Sequence, residues 1–521
     1  MTGNAILAAE TLGHLVGLGV EEFVICAGAR NAPLVSSLLR SAQSHDCEVW
    51  SHFDERTAAF FAMGLARRSS KPVAVMTTSG TAVAELLPAV IESFYSGIPL
   101  VLVTADRPAH FRGSGAPQAI EQVGIFGTYA PTALDVSDVE NLKGIADWDR
   151  KTPLHLNVCF DEPSAEDVVE NWNGAFTDSN GGHCAVENSA EAKLLAAFCQ
   201  NAQRPLVLLG SLDETWRSNV TRFLAASKIP FWAEGTSGLR ETPALAETRI
   251  ASESDLATLD PDVVIRIGGI PSCRFWRDVE NLTALTVLSI SRQPFSGLAR
   301  ESALLVQECF PEVGPEIEPC WNGGLPLLGA PTFSEHPLSE PAVVRKLSEV
   351  IPSEALVFLG NSMPIREWNL AATFERPHPH CFASRGANGI DGQLATFFGI
   401  SQGSDESWGL FGDLTALYDL NAPALLQSGS GEKKRIVILN NGGGRIFSRL
   451  PSLAGLAPGE KIHTENHHER HFDSWAAMWD LDYVAWQPGE AFPVLESDVV
   501  VIEVTLNNEA TKAFWNSRKP G

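Results

Sequence analysis

Two short stretches place oxygen-bearing side chains directly behind apolar runs. In GLFGDLTALYDL, residues 409–420, the carboxylate of Asp413 follows what reads as a buried strand; in RIVILNNGGGRIF, residues 435–447, Asn440 and Asn441 follow another and lead into a glycine cluster. One helical stretch, TALYDLNAPALLQ, and one strand separate Asp413 from Asn441. A βαβ crossover of that length can return the second loop beside the first, so both side chains can meet at one sheet edge. A carboxylate, an amide oxygen and a backbone carbonyl such as that of Gly443 form an all-oxygen donor set suited to Mg²⁺, with phosphate oxygens filling the remaining positions. The helix that begins after Asp413 points free amides at the same anion. A metal with a diphosphate is one reading of this pair. A helix cap at Asp413 and a plain turn at NNGGG is the other, and the pair alone leaves both open.

The elements that must position these residues can be read from periodicity. EFVICAG, PVAVMTTSG and PLVLVTA are near-continuous apolar strands, with TAAFFAMGLARR and TAVAELLPAVIESF as helical stretches between them. Such runs indicate a parallel sheet covered on both faces. RPLVLLG, PDVVIRIGG and LTVLSIS repeat the pattern, as do ALVFLGNS, HCFASRGANG, WGLFGD, RIVILNN and VVVIEV. The polar, turn-rich stretch from Glu162 to about Glu191 and the Pro/Gly-rich stretch from Pro311 to Pro341 read as linkers. The expectation is an α/β protein of three doubly wound parallel-sheet domains, over residues 1–178, 190–325 and 340–521. Several strands end in Gly, Ser, Asp or Asn, where open α/β sheets bind their ligands.

With 521 residues, 44% of them hydrophobic and 19% charged, the chain can build several cores. A net charge of −25 argues against a nucleic-acid or membrane-surface protein, and any anionic ligand must be held by focused positive groups. Nine scattered cysteines suit a reducing compartment better than a disulfide framework. The first residues show no export signal and the apolar runs are too short to span a bilayer, so the expected location is the cytoplasm, with no stable membrane association.

Gly-Asp, a spacer, then Asn-Asn resembles the thiamine-diphosphate motif of the pyruvate-decarboxylase-like superfamily, as do three α/β domains in a chain of this length. The usual third motif residue is glycine and here is Leu414, a departure shared by one branch. HFDERTAAFFAMGLA, TTSGTAVAELLPAVIES, TADRPAHFRGSGAPQAIEQVGIFG, GNSMPIR, SRGANGIDG, GDLTALYDLNA and NNGGGRIFSRLP, in that order, resemble the menaquinone-pathway branch.

The resemblance implies a transferase using thiamine diphosphate and Mg²⁺ (or Mn²⁺), in which 2-oxoglutarate is decarboxylated and its succinyl unit adds to isochorismate. It implies a pyrimidine-binding first domain, a central domain and a diphosphate-binding last domain. The assembly would be a homo-oligomer, a dimer or dimer of dimers, with Glu55 and Asp413 meeting across an interface. Asp413, Asn441 and Gly443 would hold the metal. Gly412, Leu414 and Thr415 would line the diphosphate, Ile390 would wedge under the bent cofactor, and Ile446, Phe447 and Leu450 would add apolar lining. Glu55, by its match in HFDER, would face the aminopyrimidine ring as the carboxylate that shares its proton; neighbouring Asp54 is separated from it only by motif register. Ser362, Arg366 and Arg385 would bind the oxoglutarate-derived part, and Arg30, Arg107, Gln118 and Arg274 would face isochorismate, since guanidinium forks match carboxylates.

Three departures thin the second-substrate pocket: Ala29 replaces a serine, Pro117 an asparagine, and Cys273 a lysine. Another thiamine-dependent decarboxylase or carboligase with a different acceptor, or a catalytically silent cofactor-binding protein, is the alternative. In HTENHHERHF, residues 463–472, His467 and His471 could share a helical face as metal ligands, but a solvated loop is the simpler reading of His463, His467, His468 and His471. TSGTA, residues 78–82, fits backbone beside a cofactor.

Overall fold

The computed structural model describes residues 2–169, 172, 190–311, 332–427, 431–453 and 455–518. Most of both stretches read as linkers lies outside the described residues. Strands β1 (Glu22–Ile25), β2 (Glu48–Ser51), β3 (Val73–Thr77), β4 (Leu100–Asp106), β5 (Thr132–Val136) and β6 (Leu154–Cys159) form a parallel sheet in the order β2-β1-β3-β4-β6-β5. A second comprises β7 (Pro205–Leu209), β8 (Phe231–Ala233), β9 (Val263–Ile267), β10 (Thr286–Ser291) and β11 (Ala303–Val306), in the order β11-β10-β9-β7-β8. The third comprises β12 (Leu356–Leu359), β13 (Cys381–Phe382), β14 (Glu406–Gly412), β15 (Lys433–Asn440), β16 (Asp482–Trp486) and β17 (Val499–Thr505), in the order β13-β12-β14-β15-β17-β16. The fold is thus α/β with three parallel-sheet domains and flanking helices, as expected.

The apolar runs read as strands because both faces are covered. In β7, Val207 and Leu209 join one core cluster while Leu206 and Leu208 join another on the opposite face. Every other residue of a strand serves the same layer, so a doubly covered strand must be apolar throughout.

Two helical expectations are corrected. TAVAELLPAVIESF is not one helix but two, Thr81–Ala84 and Leu87–Ser96. Pro88 has no N–H to donate and its ring would clash with the carbonyl four residues back, at Ala84. TALYDLNAPALLQ likewise divides into a helix at Asp413–Tyr418 and a 3-10 turn at Ala422–Leu425, which contains Pro423.

The chain packs as two compact units. The first holds the described residues of 1–181, 386–403 and 417–430; the second holds those of 182–385, 404–416 and 431–521. The first unit therefore includes segments that lie, in sequence, among the strands of the third sheet. Cys26, Cys47, Cys159, Cys199, Cys273 and Cys381 form no disulfide, whereas Cys309 is disulfide-bonded. Among the described residues no helix is long and apolar enough to cross a membrane.

Candidate active site

In the second unit, adjacent parallel strands β14 and β15 pair from Glu406↔Lys433 to Gly412↔Leu439, which carries both strand ends to the same sheet edge. Asp413 follows Gly412 there, only 2% exposed. Its Oδ2 accepts from the backbone N–H groups of Asn441 (3.1 Å), Gly442 (2.8 Å) and Gly443 (3.0 Å), and its Oδ1 from that of Leu414 (2.6 Å). Asp413 is thus more than a helix cap: it organises the whole NNGGG loop. Gly443 has φ +136, and a Cβ there would lie 2.5 Å from the carbonyl oxygen of Glu465, so only glycine fits this turn.

Asn441 is 7% exposed, and its Oδ1 is buried with no hydrogen-bond partner. Buried polar oxygens are ordinarily satisfied, so this orphan beside a buried carboxylate keeps its full acceptor capacity for a ligand. The Gly443 carbonyl accepts from the N–H of Arg445 (2.9 Å) and keeps a second lone pair. Asp413, Asn441 Oδ1 and the Gly443 carbonyl therefore fit a hard divalent cation. Thr415 is buried in the first turn after Asp413, Leu414 is half-buried, and Ile446, Phe447 and Leu450 follow the glycine loop, with Phe447 exposed.

Sequence reasoning missed the layer behind Asn441. Its Nδ2 donates to Glu340, 3.4 Å from each carboxylate oxygen. Glu340 and Glu367 are both fully buried, and Arg449 reaches them at 3.7 and 3.2 Å. Burial pushes both carboxyls above the usual range, with Arg449 opposing. Acids within amphipathic helices read as solvent-facing, so no local signal marks them.

The histidine stretch does not form the helical metal pair, and His463, His467 and His471 are exposed, as the solvated reading expects. The helix Pro458–Thr464 ends before His467, and His467 turns to Glu465 (2.6 Å) while His471 turns to Glu503 (2.9 Å). His468 is nearly buried, with Nε2 3.5 Å from Asp413 Oδ2. Among the described residues no group of three or more His, Cys, Asp or Glu side chains is placed to hold a metal.

Ser362, at the N-cap of the helix Met363–Ala371 beyond β12, has φ +70, a left-handed conformation that costs a non-glycine residue about 1–3 kcal/mol and is retained chiefly at functional sites. Arg366, one turn on, donates to the Ser362 carbonyl (2.5 Å), and Arg385 Nη1 donates to Asn361 Oδ1 (3.2 Å) while its Nε is buried without a partner. Burial, then the nearby Arg385 charge, pulls the Arg366 guanidinium below its usual range. Arg274 is exposed and paired with Asp278 at 3.5 Å.

In the first unit the structure separates Asp54 from Glu55. Asp54 is the N-cap of the helix Glu55–Ser69, accepting from the N–H of Thr57 (2.9 Å) and from Asn421 Nδ2 (2.7 Å). Burial raises its pKa, but these donors outweigh that and hold it below the usual value. Glu55, the first helical residue, is pushed the other way, by burial and then by the charges of Asp54 and Glu85. A carboxyl with a raised pKa is the better proton-sharing partner for a ring nitrogen.

The loop carrying Ile390 is held from within the same unit. Glu92, 2% exposed, accepts from the backbone N–H groups of Gly386 (2.7 Å) and Ala387 (2.6 Å). Arg107 donates to the carbonyl of Pro117 (3.1 Å), which places it beside Gln118, a second non-glycine residue with left-handed backbone (φ 56). Behind them the fully buried Gln122, also missed from sequence, accepts from the N–H of Gly80 in TSGTA (2.8 Å). Arg30 is 6% exposed and already engaged, donating to the carbonyls of Phe160 and Asp161 and to the carboxylate of Glu162 (3.2, 2.9 and 3.0 Å). Arg30, Arg107 and Gln118 belong to the first unit and Arg274 to the second.

Residues 6–125 match the family model described as thiamine pyrophosphate enzyme, N-terminal TPP binding domain. Over the whole chain, a 2-succinyl-5-enolpyruvyl-6-hydroxy-3-cyclohexene-1-carboxylate synthase of Bdellovibrio bacteriovorus is 39% identical, covering 98% of each chain. The enzyme of that name from Akkermansia muciniphila is 40% identical over 95% of each chain, and that from Lysinibacillus sphaericus is 30% identical over 97% of this chain and 96% of its own. A buried acid–amide pair at the β14 and β15 ends, a Glu55 carboxyl whose pKa burial raises, and identity of this extent over nearly the full length converge on one conclusion: the chain belongs to the family of 2-succinyl-5-enolpyruvyl-6-hydroxy-3-cyclohexene-1-carboxylate synthases.

Proposed function

We propose that this chain is a thiamine-diphosphate-dependent transferase of menaquinone biosynthesis that decarboxylates 2-oxoglutarate and adds the succinyl unit to isochorismate. The observation that carries the reading is the orphaned, buried Oδ1 of Asn441 in the loop that Asp413 organises. Asp413, Asn441 and the Gly443 carbonyl would hold Mg²⁺ or Mn²⁺ together with the cofactor's diphosphate, and Gly412, Leu414 and Thr415 would flank it. Bound there, thiamine diphosphate supplies the carbon centre that takes up the 2-oxo group and stabilises the charge left as CO₂ departs. Glu55 holds a proton at N1′ of the aminopyrimidine ring, and its burial favours that proton. Ile390, on the Glu92-held loop, would be the apolar wedge under the cofactor, and Ile446, Phe447 and Leu450 would add apolar lining. Ser362, Arg366 and Arg385 bind the carboxylates of 2-oxoglutarate, and Arg107, Gln118, Arg30 and Arg274 face the acceptor.

The reading includes a homo-oligomer, a dimer or dimer of dimers, in which Glu55 of one copy serves the Asp413 site of another. Mixing the inactive variants Glu55→Gln and Asp413→Asn then restores part of the activity, because one site in each mixed dimer is intact.

A second reading, a different acceptor, is favoured by one observation: the Arg30 guanidinium is engaged by the Phe160 and Asp161 carbonyls and Glu162 rather than free for a dicarboxylate. Mass spectrometry of products formed from 2-oxoglutarate, with and without isochorismate, separates the two. The synthase reading predicts an adduct and faster CO₂ release with isochorismate. Release that isochorismate never accelerates, with no adduct, overturns it.

A further inference from the structure

We propose that Glu340 is a positioning residue for the metal: it fixes the rotation of the Asn441 amide, so that Oδ1 and not Nδ2 is left free to ligate. The inference rests on the metal reading of Asp413 and Asn441 above. The two ends of a side-chain amide have nearly the same shape, yet only the oxygen has lone pairs for a cation. At Asn441 the backbone is already fixed, its carbonyl accepting from Asn508 Nδ2 (2.9 Å) and Arg445 Nε (3.1 Å). The remaining freedom is rotation of the amide. Both oxygens of Glu340 stand 3.4 Å from Nδ2. Turned over, the amide would set its oxygen against a carboxylate and bury its NH₂ where the cation belongs.

Glu340 is itself held in place. Its N–H donates to Thr511 Oγ1 (3.0 Å), its carboxylate lies 3.7 Å from Arg449, and Arg449 is fixed by Glu367 at 3.2 Å and by the Trp515 ring 4.5 Å from its guanidinium carbon. Groups that orient a metal ligand typically matter 10–100-fold in metal affinity, on the order of the ligands themselves.

The test titrates Mg²⁺ into the full-length protein at fixed thiamine diphosphate, following intrinsic tryptophan fluorescence. Glu340→Ala is expected to weaken Mg²⁺ affinity roughly 10–100-fold, and Glu340→Gln, whose carbonyl can still accept from Nδ2, to recover most of it. A charge exchange gives an independent arm: Asn441→Asp alone loses binding by facing two carboxylates, and Asn441→Asp combined with Glu340→Gln regains at least a tenfold part. If Glu340→Ala does not fold, the exchange decides. Wild-type Mg²⁺ affinity in Glu340→Ala, or no recovery in the exchange, overturns the proposal. Asp413→Asn is the control: unchanged Mg²⁺ affinity there sinks the metal reading itself, whereas its loss alongside an unaffected Glu340→Ala sinks only the role of Glu340.

Discussion

Gly64 and Gly399 face each other where the helix Glu55–Ser69 crosses the helix Gln393–Ile400 in the first unit. A Cβ on Gly64 would stand 2.3 Å from the Thr396 carbonyl oxygen and 3.0 Å from the Gly399 Cα; one on Gly399 would stand 2.3 Å from the Phe61 carbonyl oxygen and 3.0 Å from the Gly64 Cα. Each side of the crossing is backbone, which has no rotamer to escape into. The crossing brings the helix that begins with Glu55 against the segment that follows Ile390, so both residues are referenced to one contact.

Gly64→Ala tests the contact. Helix propensity favours alanine by about 1 kcal/mol, while overpacking a close contact costs about 1–3 kcal/mol, and a clash with backbone lies toward the upper end. The clash wins, and the melting temperature is expected to fall by a few degrees. Gly17→Ala, at the end of the helix Gly3–Gly17 with nothing within 4 Å of the added Cβ, should melt no lower than the parent. Equal melting of the two variants by calorimetry would refute the crossing.

The strands were legible because burial on both faces removes the alternation that would otherwise blur them; RIVILNN and WGLFGD could be little else. The meeting of Asp413 with the Asn441 loop was legible for the same reason, since adjacent parallel strands end at one edge. What could not be read was contact across long stretches of chain. Glu340 and Asn441 are 101 residues apart, and Glu92 reaches Gly386 across 294. A glutamate within an amphipathic helix has the same local pattern whether it faces water or a buried amide. Arg30 shows the converse: an arginine at a strand end suggested a ligand, but its partners are carbonyls at the end of β6, whose proximity only tertiary pairing creates.

Asp54 and Glu55 are neighbours with opposite duties, and their variants should fail in different ways. Removing a capping side chain costs about 1 kcal/mol, and Asp54→Ala also strands the Asn421 amide, so the melting temperature drops. Glu55→Gln keeps the shape at the helix start and removes a carboxyl that burial already disfavours in its charged form, so stability is unchanged or improved. Its turnover should fall by about 10²–10⁴, the usual scale for a proton-transfer group, with thiamine diphosphate still bound. Calorimetry and steady-state kinetics on both variants check this; loss of stability in Glu55→Gln with full turnover would reverse the assignment.

Asp419 gives the protein a pH signature of its own. Fully buried, it accepts from the N–H groups of Gly392 and Leu394, each at 2.9 Å, with Arg56 4.0 Å away. Burial raises its pKa from 3.8 to about 6, the two amides and Arg56 offsetting only part of the cost. A folded-state pKa above the unfolded one means that the native state binds the proton more tightly. That contribution is complete below the unfolded value of 3.8 and is lost as pH rises through about 6. The whole span is worth about 3 kcal/mol at 1.36 kcal/mol per pKa unit, and about 1–2 kcal/mol of it falls between about pH 5 and pH 7. Asp419→Asn cannot titrate, so the stability of the parent relative to this variant should decline over that interval and level off above it. Urea denaturation of both proteins across the interval measures the difference directly, and a difference that stays constant or grows with pH shows that Asp419 is already ionised well below neutrality in the folded protein.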